Sequence, residues 1–180
     1  NVIFGKVNPS GKLAVTFPRH VGQLPVYYNS KPYVHKADYI DGKYSPLYHF
    51  GFGLSYTQFD YTNLKLNADK INAGENVKAT VDVTNSGDMD GDEIVQLYIR
   101  DIVSTVTRPV KELKDFTRIS LKKGETKTVE FTITPEKLQY YGPDMLRVIE
   151  PGYFEVQVGK SSNEFLSAGF EVVSKEFTEK

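Results

Sequence analysis

The sequence predicts a mainly β chain whose residues 57–180 fold as an antiparallel sandwich. Three observations carry that prediction. From about Tyr61 onward, apolar residues alternate with polar ones in short runs. Clusters rich in glycine and small polar residues separate the runs. No apolar pattern at i, i+3, i+4, i+7 of useful length competes with them.

Residues 1–56 come first and have a different texture, rich in Pro, Gly and Tyr with little sustained periodicity. Only Lys12-Leu13-Ala14-Val15-Thr16-Phe17 reads as a strand there, with Leu13, Val15 and Phe17 on one face and a stop at Pro18. So long a stretch with so little regular structure is unexpected in a compact domain, and it reads as a segment whose packing partner lies elsewhere. The alternation then begins. Leu64 and Leu66 are followed by Val77, Ala79, Val81 and Val83, then by Val95, Leu97 and Ile99. Ile119 and Leu121, Val129, Phe131 and Ile133, Phe154, Val156 and Val158, and Ala168, Phe170 and Val172 complete the series. Each run buries one face and wets the other, as strands of an antiparallel sheet over a single core must.

The turns agree. Ala73-Gly74-Glu75, Asn85-Ser86-Gly87-Asp88, Lys122-Lys123-Gly124-Glu125 and Glu150-Pro151-Gly152 each carry a glycine able to take positive φ. About seven short strands in this length are the pattern of an immunoglobulin/fibronectin type III-like sandwich. With no Cys and no Trp, the disulfide-and-tryptophan core of antibody domains is excluded, which favours the fibronectin type III style.

Composition narrows the function classes. The 180 residues hold 22 Lys+Arg against 23 Asp+Glu, a formal net charge of -1, so no electrostatic case exists for a nucleic-acid or acidic-membrane partner. No apolar run reaches membrane-helix length, and the start lacks the pattern of a signal peptide, which places any export signal outside these residues. Aromatic residues are frequent at 13 %, as β structure or a sugar-facing surface would require.

Three stretches carry a resemblance. Asn8-Pro9-Ser10-Gly11-Lys12-Leu13 runs into Thr16-Phe17-Pro18, followed by Gly22-Gln23-Leu24-Pro25-Val26-Tyr27-Tyr28-Asn29. Next comes Pro46-Leu47-Tyr48-His49-Phe50-Gly51-Phe52-Gly53-Leu54-Ser55-Tyr56-Thr57. Then comes Gly91-Asp92-Glu93-Ile94-Val95-Gln96-Leu97-Tyr98, with Thr107-Arg108-Pro109-Val110-Lys111-Glu112-Leu113-Lys114 close behind. In this order they resemble the C-terminal region of family 3 glycoside hydrolases of the β-glucosidase kind, His49 standing where many relatives carry Pro. The resemblance implies a barrel domain, an α/β sandwich and a fibronectin-like domain in sequence, and a retaining β-glycosidase activity. Residues 1–56 would then be the C-terminal remnant of the α/β sandwich domain with its linker, and residues 57–180 the fibronectin type III-like domain. The nucleophilic Asp belongs to the barrel and the acid/base Glu, in many members, to the second domain. No stretch here matches either motif, so no catalytic residue is expected in this chain.

The residues themselves offer few rivals. Asp38 and Asp41 lie in a Tyr-rich loop, but a retaining glycosidase needs two carboxylates about 5–5.5 Å apart in a formed site, and loop aspartates are usually turn formers. Tyr39, Asp41 and Tyr44 are the candidates for substrate contact at a site rim. His20, His35 and His49 share no metal-ligand spacing, and no metal or other cofactor is expected. Gly51-Phe52-Gly53 lacks the strand, third glycine and helix of a dinucleotide loop. The aromatic residues Tyr27, Tyr28, Tyr33, Tyr39, Tyr44, Tyr48, Phe50, Phe52 and Tyr56 read first as glue between domains and second as sugar-stacking rings. Arg108–Lys114 read as a mixed, solvated strand edge.

The expectation is a C-terminal, non-catalytic part of a retaining exo-β-glycosidase, β-glucosidase ahead of β-xylosidase. Its partners would be the barrel and α/β sandwich portion of the same enzyme and a β-glucoside or related oligosaccharide, with no nucleic acid and no membrane. A secreted or periplasmic location follows from the same resemblance. The alternative is a free-standing sandwich module that binds carbohydrate or protein without hydrolysis.

Overall fold

The structure, a computed structural model, describes residues 1–32 and 42–173 and the backbone of residues 177–179. In chain order the strands are β1 (Phe59–Leu66), β2 (Lys70–Ile71), β3 (Val77–Asn85), β4 (Gly91–Asp101), β5 (Glu112–Leu121) and β6 (Thr126–Ile133). They continue as β7 (Tyr140–Tyr141), β8 (Arg147–Ile149), β9 (Gly152–Gly159), β10 (Phe165–Val172) and β11 (Phe177–Glu179). Each long strand coincides with an alternating run of the sequence. A 3₁₀ turn at Val21–Gln23 and one helical turn, α1 (Pro135–Leu138), are the helical elements among the described residues.

Two sheets face each other. One has the order β1-β3-β6, antiparallel throughout; the other has the order β2-β10-β9-β4-β5, antiparallel except for the short β2–β10 pair. A small third sheet, β11-β8-β7, extends one end. This is the predicted mainly β sandwich. Val77, Ala79, Val81 and Val83 of β3 and Val129, Phe131 and Ile133 of β6 meet Val95, Leu97 and Ile99 of β4, Phe154, Val156 and Val158 of β9, and Phe170 and Val172 of β10 in one core. Full burial of each such aliphatic side chain contributes about 1.5–3 kcal/mol, which holds the sheets together without a disulfide.

Two of the turn glycines behave as the sequence predicts: Gly74 and Gly124 sit at φ 94° and 75°. Gly87 is needed for space instead, because a Cβ there would lie 2.2 Å from Thr57 Oγ1. Within β1 a register shift falls between Thr62 and Lys65, and Asn63 takes φ 56° there while its amide donates to Asp82 Oδ2 at 2.9 Å.

The strand expected over Lys12–Phe17 does not form. The chain bends at Ala14–Val15, and the segment touches residues 47–52 only at its ends. Leu13 N donates to Phe52 O at 2.8 Å, Gly51 N to Leu13 O at 2.8 Å, and Phe17 N to Tyr48 O at 2.9 Å. Among the described residues nothing pairs with the backbone of Ala14, Val15 or Thr16. A strand is held by a ladder along its length, and here only the two ends of one are present.

The outer face of the larger sheet is covered as well. In β4, Gln96 and Tyr98 point away from the core yet are buried, because residues of the 1–56 segment lie over them.

Candidate functional site

The seam between residues 1–56 and the sandwich gathers all three resemblance stretches. Tyr28 stacks on Phe50 with ring centroids 4.1 Å apart, and Tyr98 meets both edge-on at 5.9 and 6.5 Å. Such aromatic pairs contribute about 0.5–1.5 kcal/mol each beyond the area they bury. The backbone is tied too: Val110 N donates to Ser30 O and Leu113 N to the Tyr28 hydroxyl, at 2.9 and 3.2 Å. Ser162 N donates to Phe50 O at 3.0 Å, which brings the β9–β10 hairpin into the same contact.

Three glycines make the fit. Gly51 has φ 79°, and a Cβ on it would sit 2.1 Å from Gln96 Oε1. The buried Gln96 amide instead donates to Gly51 O at 3.1 Å and Lys160 O at 2.6 Å, and its Oε1 accepts the Tyr98 hydroxyl at 2.5 Å. A Cβ on Gly53 would lie 2.7 Å from the Lys12 side chain, and one on Gly91 would lie 2.5 Å from Asn8 Nδ2. Each glycine of one stretch therefore leaves room for a side chain of another. Asn8 uses its place fully, accepting from Ser55 Oγ and Tyr56 N at 2.9 and 2.8 Å and donating to Asp90 O at 3.3 Å.

A buried ion pair crosses the seam. Lys12 Nζ lies 3.1 and 3.0 Å from the two Glu93 carboxylate oxygens, with the side chains 13 % and 4 % exposed. Tyr61 donates its hydroxyl to Glu93 Oε1 at 2.9 Å, and burial, then the Glu93 charge, push the Tyr61 pKa far up. Beside the pair is a polar cavity of about 460 Å³ lined by Ser10, Lys12, Ser55, Gln58, Glu93 and Lys160 among others.

The second charged cluster overturns the reading of Arg108–Lys114 as a solvated edge. Arg108 is 9 % exposed, donating to Asp101 Oδ2 at 3.3 Å, Glu112 Oε2 at 2.6 Å and Leu138 O at 3.2 Å, with its guanidinium 4.8 Å from the Tyr140 ring centroid. The sequence offered a signal in the acids at positions 101 and 112 that bracket the arginine. The fold alone brings Leu138 and Tyr140 to it. Burial raises the Asp101 pKa against the opposing pull of Arg108. A raised carboxyl pKa marks candidate acids, but here both acids are held on one guanidinium, so the cluster fastens the loop after β4 to α1.

Among the candidates for substrate contact, Tyr39 and Asp41 lie outside the described residues, as do Asp38, Tyr33 and His35. Tyr44 is half-buried, and its carbonyl accepts from the buried Gln23 amide at 2.6 Å. Gln23 also accepts Arg19 N at 2.7 Å, so the 42–45 stretch is pinned by the Gly22-Gln23 dipeptide. His20 is exposed, and His49 is half-buried with its pKa lowered by burial, then by Lys111 and Arg19. No group of three or more His, Asp or Glu among the described residues is placed to hold a metal ion.

Comparison with known proteins fits this seam. Residues 1–56 match the model of the glycosyl hydrolase family 3 C-terminal domain, and residues 93–162 match that of the fibronectin type III-like domain. A β-xylosidase of Formosa agariphila is 48 % identical over 165 residues, covering 90 % of this chain and 23 % of the relative. A periplasmic β-glucosidase of Salmonella typhimurium is 41 % identical over 183 residues, covering 96 % and 24 %. A β-glucosidase structure from Erythrobacter marinus superposes with a TM-score of 0.91 at 40 % identity, covering 96 % of this chain and 23 % of that one. A Listeria innocua β-glucosidase in complex with glucose does so with a TM-score of 0.88 at 37 % identity, covering 96 % and 25 %. The chain matches the C-terminal region of family 3 glycosyl hydrolases. It spans about a quarter of the length of these relatives.

Proposed function

We propose that this chain is the non-catalytic C-terminal part of a retaining exo-β-glycosidase, a β-glucosidase in the first instance and a β-xylosidase in the second. One observation carries the reading. Residues 1–32 and 42–56 interlock with the sandwich, yet Val15, Phe17, Val21, Leu24, Tyr27, Leu47 and Tyr48 among them are exposed. An apolar surface of that extent marks an interface, and the Tyr and Phe content is typical of one. Val15 and Phe17 belong to the bent, half-paired Lys12–Phe17 segment, which supports a partner that completes its ladder.

That partner would be the barrel and α/β sandwich portion of the same enzyme, which carries the two catalytic carboxylates and binds the β-glucoside or related oligosaccharide. On this reading residues 1–56 close the α/β sandwich and residues 57–180 form the supporting domain. No residue described here is assigned to catalysis, and Tyr39, Asp41 and Tyr44 remain the candidates for the site rim. The periplasmic Salmonella relative supports a secreted or periplasmic location. Among the described residues no helix is long and apolar enough to cross a membrane.

The test is hydrolysis of an aryl β-glucoside and an aryl β-xyloside by the purified chain, with and without the missing N-terminal portion. Silence alone and activity on recombination is the expected result. Activity of the chain by itself would overturn the reading and make Asp38 and Asp41 the first residues to change. Silence in both cases would favour a binding module without hydrolysis.

A further inference from the structure

The seam has an unusual construction. Residues 1–32 and 42–56 form no strand ladder against the sandwich; apart from the backbone bonds at Ser30 and Phe50, side chains hold them. Aliphatic contacts are non-directional, and the oriented ring contacts across the seam are those of Tyr28 and Phe50 with Tyr98, outside residues 8–17. Something directional must set where the segment sits. The ion pair between Lys12 and Glu93 is the buried, charged and directional contact between the Asn8–Phe17 segment and β4. Its lysine stem lies in the space left at Gly53, and both its carboxylate oxygens and the Tyr61 hydroxyl are engaged.

Burying an ion pair seldom adds stability over an apolar pair of the same volume, because desolvation offsets the attraction. Its best-supported use is to select one arrangement among several, since a shifted arrangement leaves the buried Glu93 carboxylate without its cation. We infer that Lys12 and Glu93 are positioning residues that fix the register of residues 8–17 on the sandwich. The pair thereby fixes the pose of Val15 and Phe17, which are exposed three and five positions beyond Lys12. This last step rests on the proposed function, where these exposed residues receive the remainder of the enzyme.

The two parts are separable by experiment. In the chain as it stands, hydrogen exchange is followed at Leu13 N, Gly51 N, Phe17 N and Tyr56 N, whose acceptors are Phe52 O, Leu13 O, Tyr48 O and Asn8 Oδ1. Lys12→Met and Glu93→Gln each accelerate exchange at these amides and lower the melting temperature. The decisive variant is the double replacement Lys12→Met with Glu93→Met, which removes both charges. It restores the melting temperature to within a few degrees of the parent yet leaves these four amides exchanging at least tenfold faster, while Lys12→Arg keeps them slow. A merely stabilising pair would recover protection together with stability in the double variant, and that result overturns the inference. In the recombined enzyme the double variant lowers kcat on the aryl β-glucoside several-fold with KM little changed. Fast exchange with kcat unaltered would retain the register role and refute its link to the glycosidase.

Discussion

Replacing Gly51 by Ala isolates what the seam glycines do. The substitution has two costs that can be separated. A non-glycine residue at φ 79° costs about 1–2 kcal/mol through the Cβ–carbonyl clash. The new methyl group would also sit 2.1 Å from Gln96 Oε1 and 2.9 Å from the Tyr98 hydroxyl, so Gln96 must swing away. It then loses its bonds to Gly51 O and Lys160 O, and the Tyr98 hydroxyl loses its acceptor. Leaving such buried groups unsatisfied costs about 1–3 kcal/mol. The terms are not additive, and about 3 kcal/mol in all is expected, a fall of about 10 °C in Tm for a chain of this size. Gly124→Ala is the control, because Gly124 has φ 75° with nothing within 4 Å of its Cβ position. It pays only the backbone cost. Denaturant melts of both variants give the comparison. If Gly51→Ala loses no more than Gly124→Ala, within about 0.5 kcal/mol, the interlocking argument fails.

Arg108→Met leaves Asp101 buried without its partner, at a cost of about 3–5 kcal/mol at neutral pH. Because burial raises the Asp101 pKa, the native state then holds a proton that the unfolded state releases above the ordinary value of 3.8. The loss therefore shrinks at acid pH and grows as pH rises through that window, and Asp101→Asn in the same chain recovers most of it. Melts across pH would refute this if the loss were flat. Asn85→Ala removes the buried amide that donates to Met89 O and Leu121 O and whose oxygen accepts from Thr57 Oγ1 at 2.6 Å; about 2–4 kcal/mol is expected in chemical denaturation. Tyr61, Tyr98 and Tyr140 all have raised pKa values, first through burial, Tyr140 reaching about 12. Stability from these groups is present below their unfolded value of 10.0 and is lost as pH rises beyond it. Absorbance titration at pH 11 should leave three tyrosines un-ionised until the fold collapses; one uniform transition near pH 10 in folded protein would refute it.

The strands were legible because period-2 alternation is written by burial itself: β3 follows the pattern residue by residue. Where the pattern broke, a second layer was at work. Gln96 and Tyr98 are polar by type and buried in fact, because Tyr28, Phe50 and Gly51 cover them. The run Lys12–Phe17 has strand chemistry without strand geometry, since geometry needs a neighbour that the described residues do not offer. Arg108 was misread because charge type alone says solvent, and its burial depends on Leu138 and Tyr140, thirty or more residues away. The glycines of the resemblance stretches were visible, but their reason was not: a missing Cβ gains meaning only from the side chain that takes its place.

The covered face of the larger sheet has a last consequence. Its central members beneath the 1–56 segment are Gln96, Tyr98 and Gln157 rather than aliphatic residues, and Gln157 keeps an amide oxygen without a hydrogen-bond partner among the described residues. Such a surface tolerates wetting. Peeled away from its covering, the sandwich would present water with amides and a phenol instead of grease, so opening the joint would cost far less than opening the core. Under chemical stress the joint is therefore expected to part before the sandwich core.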